Sequence, residues 1–183
     1  MQGWCDSPLT PGGLEGVRET AEMLKGIPFS AAWSSPSGRT MATASEILRF
    51  HPHVPLHLDE DLRELSFGVH ERQLESEVFA HKNLEKTFFD VLHSDTLSFT
   101  GGETGLAFRT RVLSVFERIV GANLQGNVLV VSHGVTLSTL LTLIDRSRPI
   151  EPLANASVST IQISNGAYTI GSIGALPSSS AAS

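Results

Sequence analysis

Hydrophobic positions recur along this chain in two rhythms, and their alternation sets the order of its elements. Leu14, Val17, Ala21 and Leu24 repeat at helical spacing behind Thr10, which can cap a helix with Pro11 in first position, and Gly26 closes the run. Phe29 to Trp33 then reads as a short strand ended by Ser34-Ser35-Pro36. Ser37 can cap a second helix carrying Met41, Ala44, Ile47 and Leu48. Thr104 opens a long helix with Phe108, Val112, Val115, Phe116 and Ile119 on one face. The unbroken run Val128 to Val131 after Gly126-Asn127 predicts a strand of a parallel sheet, buried on both faces. Leu137, Leu140, Leu141 and Ile144 return to the helical period.

Two further stretches complete the pattern. Val158 to Ile163 and Tyr168 to Ile173 flank Asn165-Gly166, the strongest short hairpin signal, so the sheet is predicted to finish antiparallel. Leu74, Val78, Phe88, Val91 and Leu92 predict one or two amphipathic helices between Glu71 and His93, an insertion over about 69–100 that reads as a lid. The chain is therefore an α/β protein, expected to form one domain over 1–175, with the Ser/Ala-rich 176–183 as a disordered tail.

Composition narrows the functions open to this fold. The chain has 183 residues, a formal charge of −6 and no Lys/Arg-rich run, which argues against nucleic acid as a partner and leaves any anion to be drawn by a local pocket. No apolar run is long enough for a membrane span. The single cysteine, Cys5, allows no internal disulfide and suits a reducing compartment, so a cytoplasmic location is expected. As a loop thiol without a placed base it reads as incidental.

Candidate chemistry clusters at predicted element ends. His133 and Gly134 fall where the Val128–Val131 strand meets the next helix, the edge at which open α/β sheets bind ligands and helix N-termini receive anions. A buried core histidine is the plainer reading of His133 alone. Arg39 lies in the first turn of the second helix, where a cation is disfavoured unless an anion joins it; a solvated surface arginine explains it equally well. Glu64, between Leu62 and Leu65, is the acid most exposed to an apolar wall, which would raise its pKa into the range of a proton donor. Glu103, ahead of Thr104, reads as helix capping, and Asn155 as satisfying local backbone. His51, His53 and His57 share one parity along a proline-broken stretch, but nothing nearby completes a metal set, so no metal is expected.

Five segments together resemble the histidine phosphatase (phosphoglycerate mutase-like) superfamily: Gln2 to Thr10, Ser34 to Thr40, Leu62 to Gly68, Gly101 to Thr104 and Val131 to Gly134. The resemblance implies a three-layer α/β/α sandwich, mostly parallel with an antiparallel C-terminal edge and a helical lid. It further implies a phosphate pocket that works without cofactor or metal. In it, His133 matches a histidine that stabilises the transferring phosphoryl group, and Glu64 matches the proton donor to the leaving group. Arg39 matches a phosphate-clamping arginine, and Gly134 would let phosphate approach the backbone. The helix starts beside Arg39 and His133 would add backbone donors.

The family also carries an Arg-His-Gly triplet on its first strand, upstream of the Gln-Gly-Trp loop, whose histidine is the nucleophile. No such triplet occurs in these 183 residues. We therefore expect Met1 to be an internal methionine or a truncation point, the first strand to be missing, and the chain as written to be inactive. Glu71-Arg72 stands where many relatives have Glu-Gly. The leading expectation is a phosphatase acting on phosphorylated small molecules through a phosphohistidine. The alternatives are a non-catalytic phosphate- or partner-binding domain and a phosphoglycerate mutase. Substrate and oligomeric state stay open.

Overall fold

The computed structural model describes residues 1–73, 84–123 and 125–177. In chain order the elements are α1 (Pro11–Leu24), β1 (Phe29–Ser34), α2 (Gly38–Leu48), β2 (Leu56–Leu58), α3 (Leu84–His93), α4 (Gly105–Ala122), β3 (Asn127–Val131), α5 (Gly134–Ile144), β4 (Val158–Ser164) and β5 (Ala167–Ala175). Two helices start as their sequence predicts. Thr10 accepts a hydrogen bond from the Gly13 amide with Pro11 in first position, and Thr104 accepts one from Ala107, each satisfying an amide the helix itself leaves unpaired. Ser37 makes no such bond, so α2 is capped from elsewhere in the chain.

The strands β2, β1 and β3 pair in parallel in that order, and β1 lies at the centre. Ala32 is opposite Leu56 on one side and Leu129 on the other; Ser34 is opposite Leu58 and Val131. The two-residue period then divides the side chains between the faces. Ala32, Leu129 and Val131 pack against Ala21 of α1 and Ala44 and Ile47 of α2, while Trp33, Val128 and Val130 meet Leu62, Val115 and Ile119. Helices on both faces make the expected three-layer sandwich. The α4 side covers β3 less completely than its aliphatic run predicts, leaving Val128 and Val130 half-buried.

A third cluster lies beside the sheet, with Leu65, Phe67, Val91, Leu92, Phe99, Phe108, Val112, Phe116 and Leu140 at its centre. Val91 and Leu92 of α3 are almost fully buried there, each worth roughly 1.5–3 kcal/mol of transfer free energy, so this part of the predicted insertion is seated in the core. Leu74 and Val78 lie outside the described residues, as do 178–183 of the predicted tail.

The hairpin forms where Asn165-Gly166 places it. Both residues have positive φ, 51° and 77°, as a two-residue hairpin turn requires. Yet β4 and β5 make a two-stranded sheet of their own instead of the edge of a continuous one. Among the described residues β3 pairs with β1 alone, and no ladder joins it to the hairpin. The hairpin is held by side chains instead: Ile161 packs on the phenylalanine cluster and Tyr168 meets Phe116 edge-on at 5.2 Å. No helix among the described residues is long and apolar enough to cross a membrane.

Candidate active site

Because β1 and β3 run side by side in the same direction, their carboxyl ends deliver Ser35 and His133 to one place. The Ser35 amide donates to the Val131 carbonyl at 3.0 Å, and the Ser35 hydroxyl lies 2.9 Å from His133 Nε2. On the other side of the ring, Nδ1 is 3.0 Å from Nη2 of Arg39, in the first turn of α2. A guanidinium can only donate, so Nδ1 is the accepting nitrogen and Nε2 carries the proton, given to Ser35 Oγ. The ring is 7% exposed. Burial above all, and then the positive charges of Arg39 and Arg111, bring its pKa down to about 3, so His133 is neutral near pH 7.

The Arg39 guanidinium also gathers the amino-terminal loop. It donates to the carbonyls of Cys5 at 2.9 Å, Gly3 at 2.9 Å and Gln2 at 3.2 Å. Glu71 holds that loop from below: its carboxylate accepts from the amides of Gly3, Trp4 and Cys5, all at 3.0–3.1 Å, and from Phe67 at 3.0 Å. Burial would raise the Glu71 pKa, but bonds from Cys5, Phe67 and Trp4 prevail and hold it below the ordinary glutamate range. Gly3 has to be glycine for this packing, since a Cβ there would stand 2.2 Å from the Leu65 carbonyl oxygen.

The helix starts differ from expectation. The amides predicted to greet an external anion are engaged by the protein's own carboxylates. At α2, Asp6 accepts from the Gly38 amide at 2.7 Å and the Arg39 amide at 3.4 Å. A Cβ on Gly38 would come within 2.4 Å of the Asp6 carboxylate, so the missing side chain is what admits it. At α5, whose N-cap is His133, Glu64 accepts from the amides of Val135 and Thr136 at 3.0 Å each and from the Thr136 hydroxyl at 2.9 Å. Negative charge is favoured at both starts, and aspartate and glutamate supply it. The Leu65 amide adds a fourth bond to Glu64 at 2.9 Å. Burial nevertheless prevails over these four donors and pushes the Glu64 pKa above the usual carboxylate range.

Glu64, Arg39 and His133 thus converge. His133 bonds Arg39 directly, and Glu64 bonds the two residues that follow Gly134. Gly134 itself borders open space, its nearest outside neighbour being the Leu153 carbonyl oxygen, 3.9 Å from where a Cβ would stand. Two open cavities of about 640 and 270 Å³ lie elsewhere, between the far end of α5 and β5. Neither is lined by these residues.

Other candidates fall outside the convergence. Glu103 is no helix cap: it pairs with Arg111 and accepts from the Ser66 amide at 2.9 Å, while Thr104 does the capping. Asn155 occupies an exposed turn. His51 packs edge-on against Phe29 at 5.0 Å, His57 lies tilted by 30° over Trp33 at 4.7 Å, and among the described residues no cluster of three His, Cys, Asp or Glu side chains is placed to hold a metal. The Cys5 thiol is pushed up in pKa by burial and by Glu71, the opposite of activation. The residues missed from sequence are Ser35, Asp6, Glu71 and Arg111. Ser35 was read only as part of the Ser34-Ser35-Pro36 strand end and Glu71 only in the Glu71-Arg72 pair, and neither signal told of a role at the site.

Comparison with known proteins bears on this geometry. The family profile of the Histidine phosphatase superfamily (branch 1) matches residues 1–175. A 2,3-bisphosphoglycerate-dependent phosphoglycerate mutase 2 of Gloeobacter violaceus is 33% identical over 151 residues, covering 80% of this chain and 68% of the mutase. Among solved structures, Bacillus stearothermophilus YhfR superposes with a TM-score of 0.84 at 28% identity, over 95% of this chain and 88% of that one. The alpha-ribazole phosphatase from Shigella flexneri does so with a TM-score of 0.81 at 25% identity, over 96% and 88%.

Proposed function

This chain belongs to the histidine phosphatase superfamily, and from that membership we propose that it carries the phosphate-clamping and proton-donor half of a phosphomonoesterase site. The observation that carries the proposal is the direct bond between Arg39 and a neutral, buried His133, with a carboxyl of raised pKa at the start of the same helix. Arg39 and the Nε2–H of His133 are donors of the kind that stabilise charge on the equatorial oxygens of a transferring phosphoryl group. Phosphate takes the place of the loop carbonyls on Arg39 and of the Ser35 hydroxyl on His133. Gly134 lets the anion come close to the backbone.

Catalysis on this scheme needs a nucleophilic histidine. A parallel strand laid along the open side of β3 would end beside His133, because parallel neighbours bring their carboxyl ends to one edge. That β3 pairs with β1 alone among the described residues supports that placement for an Arg-His-Gly strand. In the first step the ester P–O bond breaks and a P–N bond forms on that histidine, while protonated Glu64 gives its proton to the leaving oxygen. In the second, water attacks the phosphorus and gives a proton to Glu64 while the P–N bond breaks, its electron pair returning to the histidine nitrogen, and inorganic phosphate leaves.

The test is turnover of p-nitrophenyl phosphate by the 183-residue chain and by a form extended upstream with that strand. Activity appearing only on extension supports the scheme, and no activity in either sinks the hydrolase reading. The 33% identity to a mutase favours a second reading, phosphoglycerate mutase; interconversion of phosphoglycerates without phosphate release would establish it. A cytoplasmic location is part of the same proposal, supported by the free thiol of Cys5.

A further inference from the structure

We propose that Arg111 is the positioning residue for Glu64, an inference that rests on the proton-donor reading of Glu64 given above. Arg111 projects from α4 with its side chain 13% exposed, and five hydrogen bonds match its five N–H groups. Nη1 donates to the carbonyls of Asp61 at 2.8 Å and Arg63 at 2.7 Å. Nη2 donates to the carbonyl of Glu64 itself at 2.8 Å and to Glu103 Oε1, and Nε donates to Glu103 Oε2 at 2.8 Å. Glu103 then closes the arc by accepting the Ser66 amide. The guanidinium carbon lies 4.8 Å from the Phe108 ring centroid, which fixes its plane from one side.

The consequence is specific to Glu64. Residues 63–66 belong to no helix or ladder, and the Arg63 amide donates to the Glu60 carbonyl at 3.1 Å. Apart from that amide, their bonded backbone groups find partners on side chains: those of Arg111, Glu103 and Glu64, with Thr136 on the Arg63 carbonyl and Trp4 on that of Glu64. One planar fork takes the carbonyl before Glu64 and that of Glu64 itself, and its partner Glu103 takes an amide just after. The backbone carrying the carboxyl is thereby locked while the carboxyl reaches over to α5. Arg118, on the same helix, makes a useful contrast. It bonds the carboxylates of Asp59 and Asp61 from an exposed position and touches no backbone atom of this stretch.

The variant Arg111→Met removes the donors and keeps the length, and Arg118→Met is the control. In the 183-residue chain, the amides of Leu65, Val135 and Thr136, which bond the Glu64 carboxyl, should exchange with solvent about tenfold faster in Arg111→Met and at the parental rate in Arg118→Met. Unchanged exchange at all three in folded Arg111→Met overturns the proposal. Should that variant not fold, Arg111→Lys, which keeps the charge and loses the fork, takes its place with the same expected and overturning results.

In the form active on phosphomonoesters, Arg111→Met should lower kcat at least about tenfold on an alkyl phosphate, whose leaving group needs a proton. It should change kcat less than about threefold on p-nitrophenyl phosphate, whose leaving group does not. Equal losses on both would show a merely structural role and overturn the proposal. A parent without any phosphomonoesterase activity defeats the hydrolase reading instead, while the exchange measurement still decides whether Arg111 fixes Glu64.

Discussion

Two helices begin at the carboxyl edge of the sheet, and both are capped by a carboxylate from a distant loop. Asp6 caps α2 and Glu64 caps α5. The device is the same and the surroundings are not. The Asp6 side chain is 47% exposed and faces the Arg39 guanidinium, whereas Glu64 is 6% exposed with neutral donors around it. Water shares the charge of the first, so it serves as a cap and little more. The second is enclosed, and burial holds its pKa above the usual carboxylate range, as the proton-donor role proposed for it requires. Burial, more than position on the helix, separates the two caps.

The contrast is most severely tested by removing each carboxylate. Glu64→Leu leaves the amides of Leu65, Val135 and Thr136 without their carboxylate acceptor and should cost about 3 kcal/mol in urea denaturation; a loss no larger than that of Asp6→Ala would erase the distinction. Next in size, His133→Ala in the active form should lower turnover of p-nitrophenyl phosphate by more than about tenfold, the order expected for one well-placed donor. An unchanged rate removes His133 from the site.

The pH dependence of stability should show the two buried groups pulling in opposite directions. His133 titrates at about 3 when folded against an ordinary 6.5, so the unfolded chain binds more protons between those values and stability rises with pH across that window. Glu64 is raised above an ordinary 4.5, so the folded chain holds the extra proton and stability falls as pH climbs from there toward the raised value. Each slope is at most about 1.4 kcal/mol per pH unit. Where the two windows overlap, from 4.5 upward, the two slopes oppose each other, so the parent's urea midpoint should vary less with pH than that of either variant. Glu64→Gln should reveal the rise and His133→Asn the fall. The smallest effect is expected at the exposed cap, where Asp6→Ala should cost about 1 kcal/mol in the same denaturation.

What the sequence revealed of this molecule depended on whether the signal was local. Thr10 with Pro11, Thr104 and Asn165-Gly166 each act within four residues, and each sits where its chemistry places it. His133 and Arg39 were legible as strand-end and helix-start positions and Glu64 by its apolar neighbours Leu62 and Leu65, while their meeting in one place was expected only from the family resemblance. Asp6, Glu71 and Arg111 were not legible, for a physical reason. They bind backbone amides and carbonyls 32, 66–68 and 47–50 residues away in sequence, and no spacing along the chain records such a partner. The same holds for the division of the sheet: hydrophobic runs predict that a strand forms, but its neighbour is fixed by register and packing.

Among the described residues one flank of β3 carries no partner strand, and this has an effect on handling. Asn127-Val128-Leu129-Val130-Val131 contains no charge and no proline to turn away an approaching backbone, and its outward row of peptide groups is a template for any extended chain of similar hydrophobicity. Concentrated solutions of the 183-residue chain should therefore self-associate into β-rich aggregates, and Asn127→Lys, at the exposed start of the strand, should keep them clear.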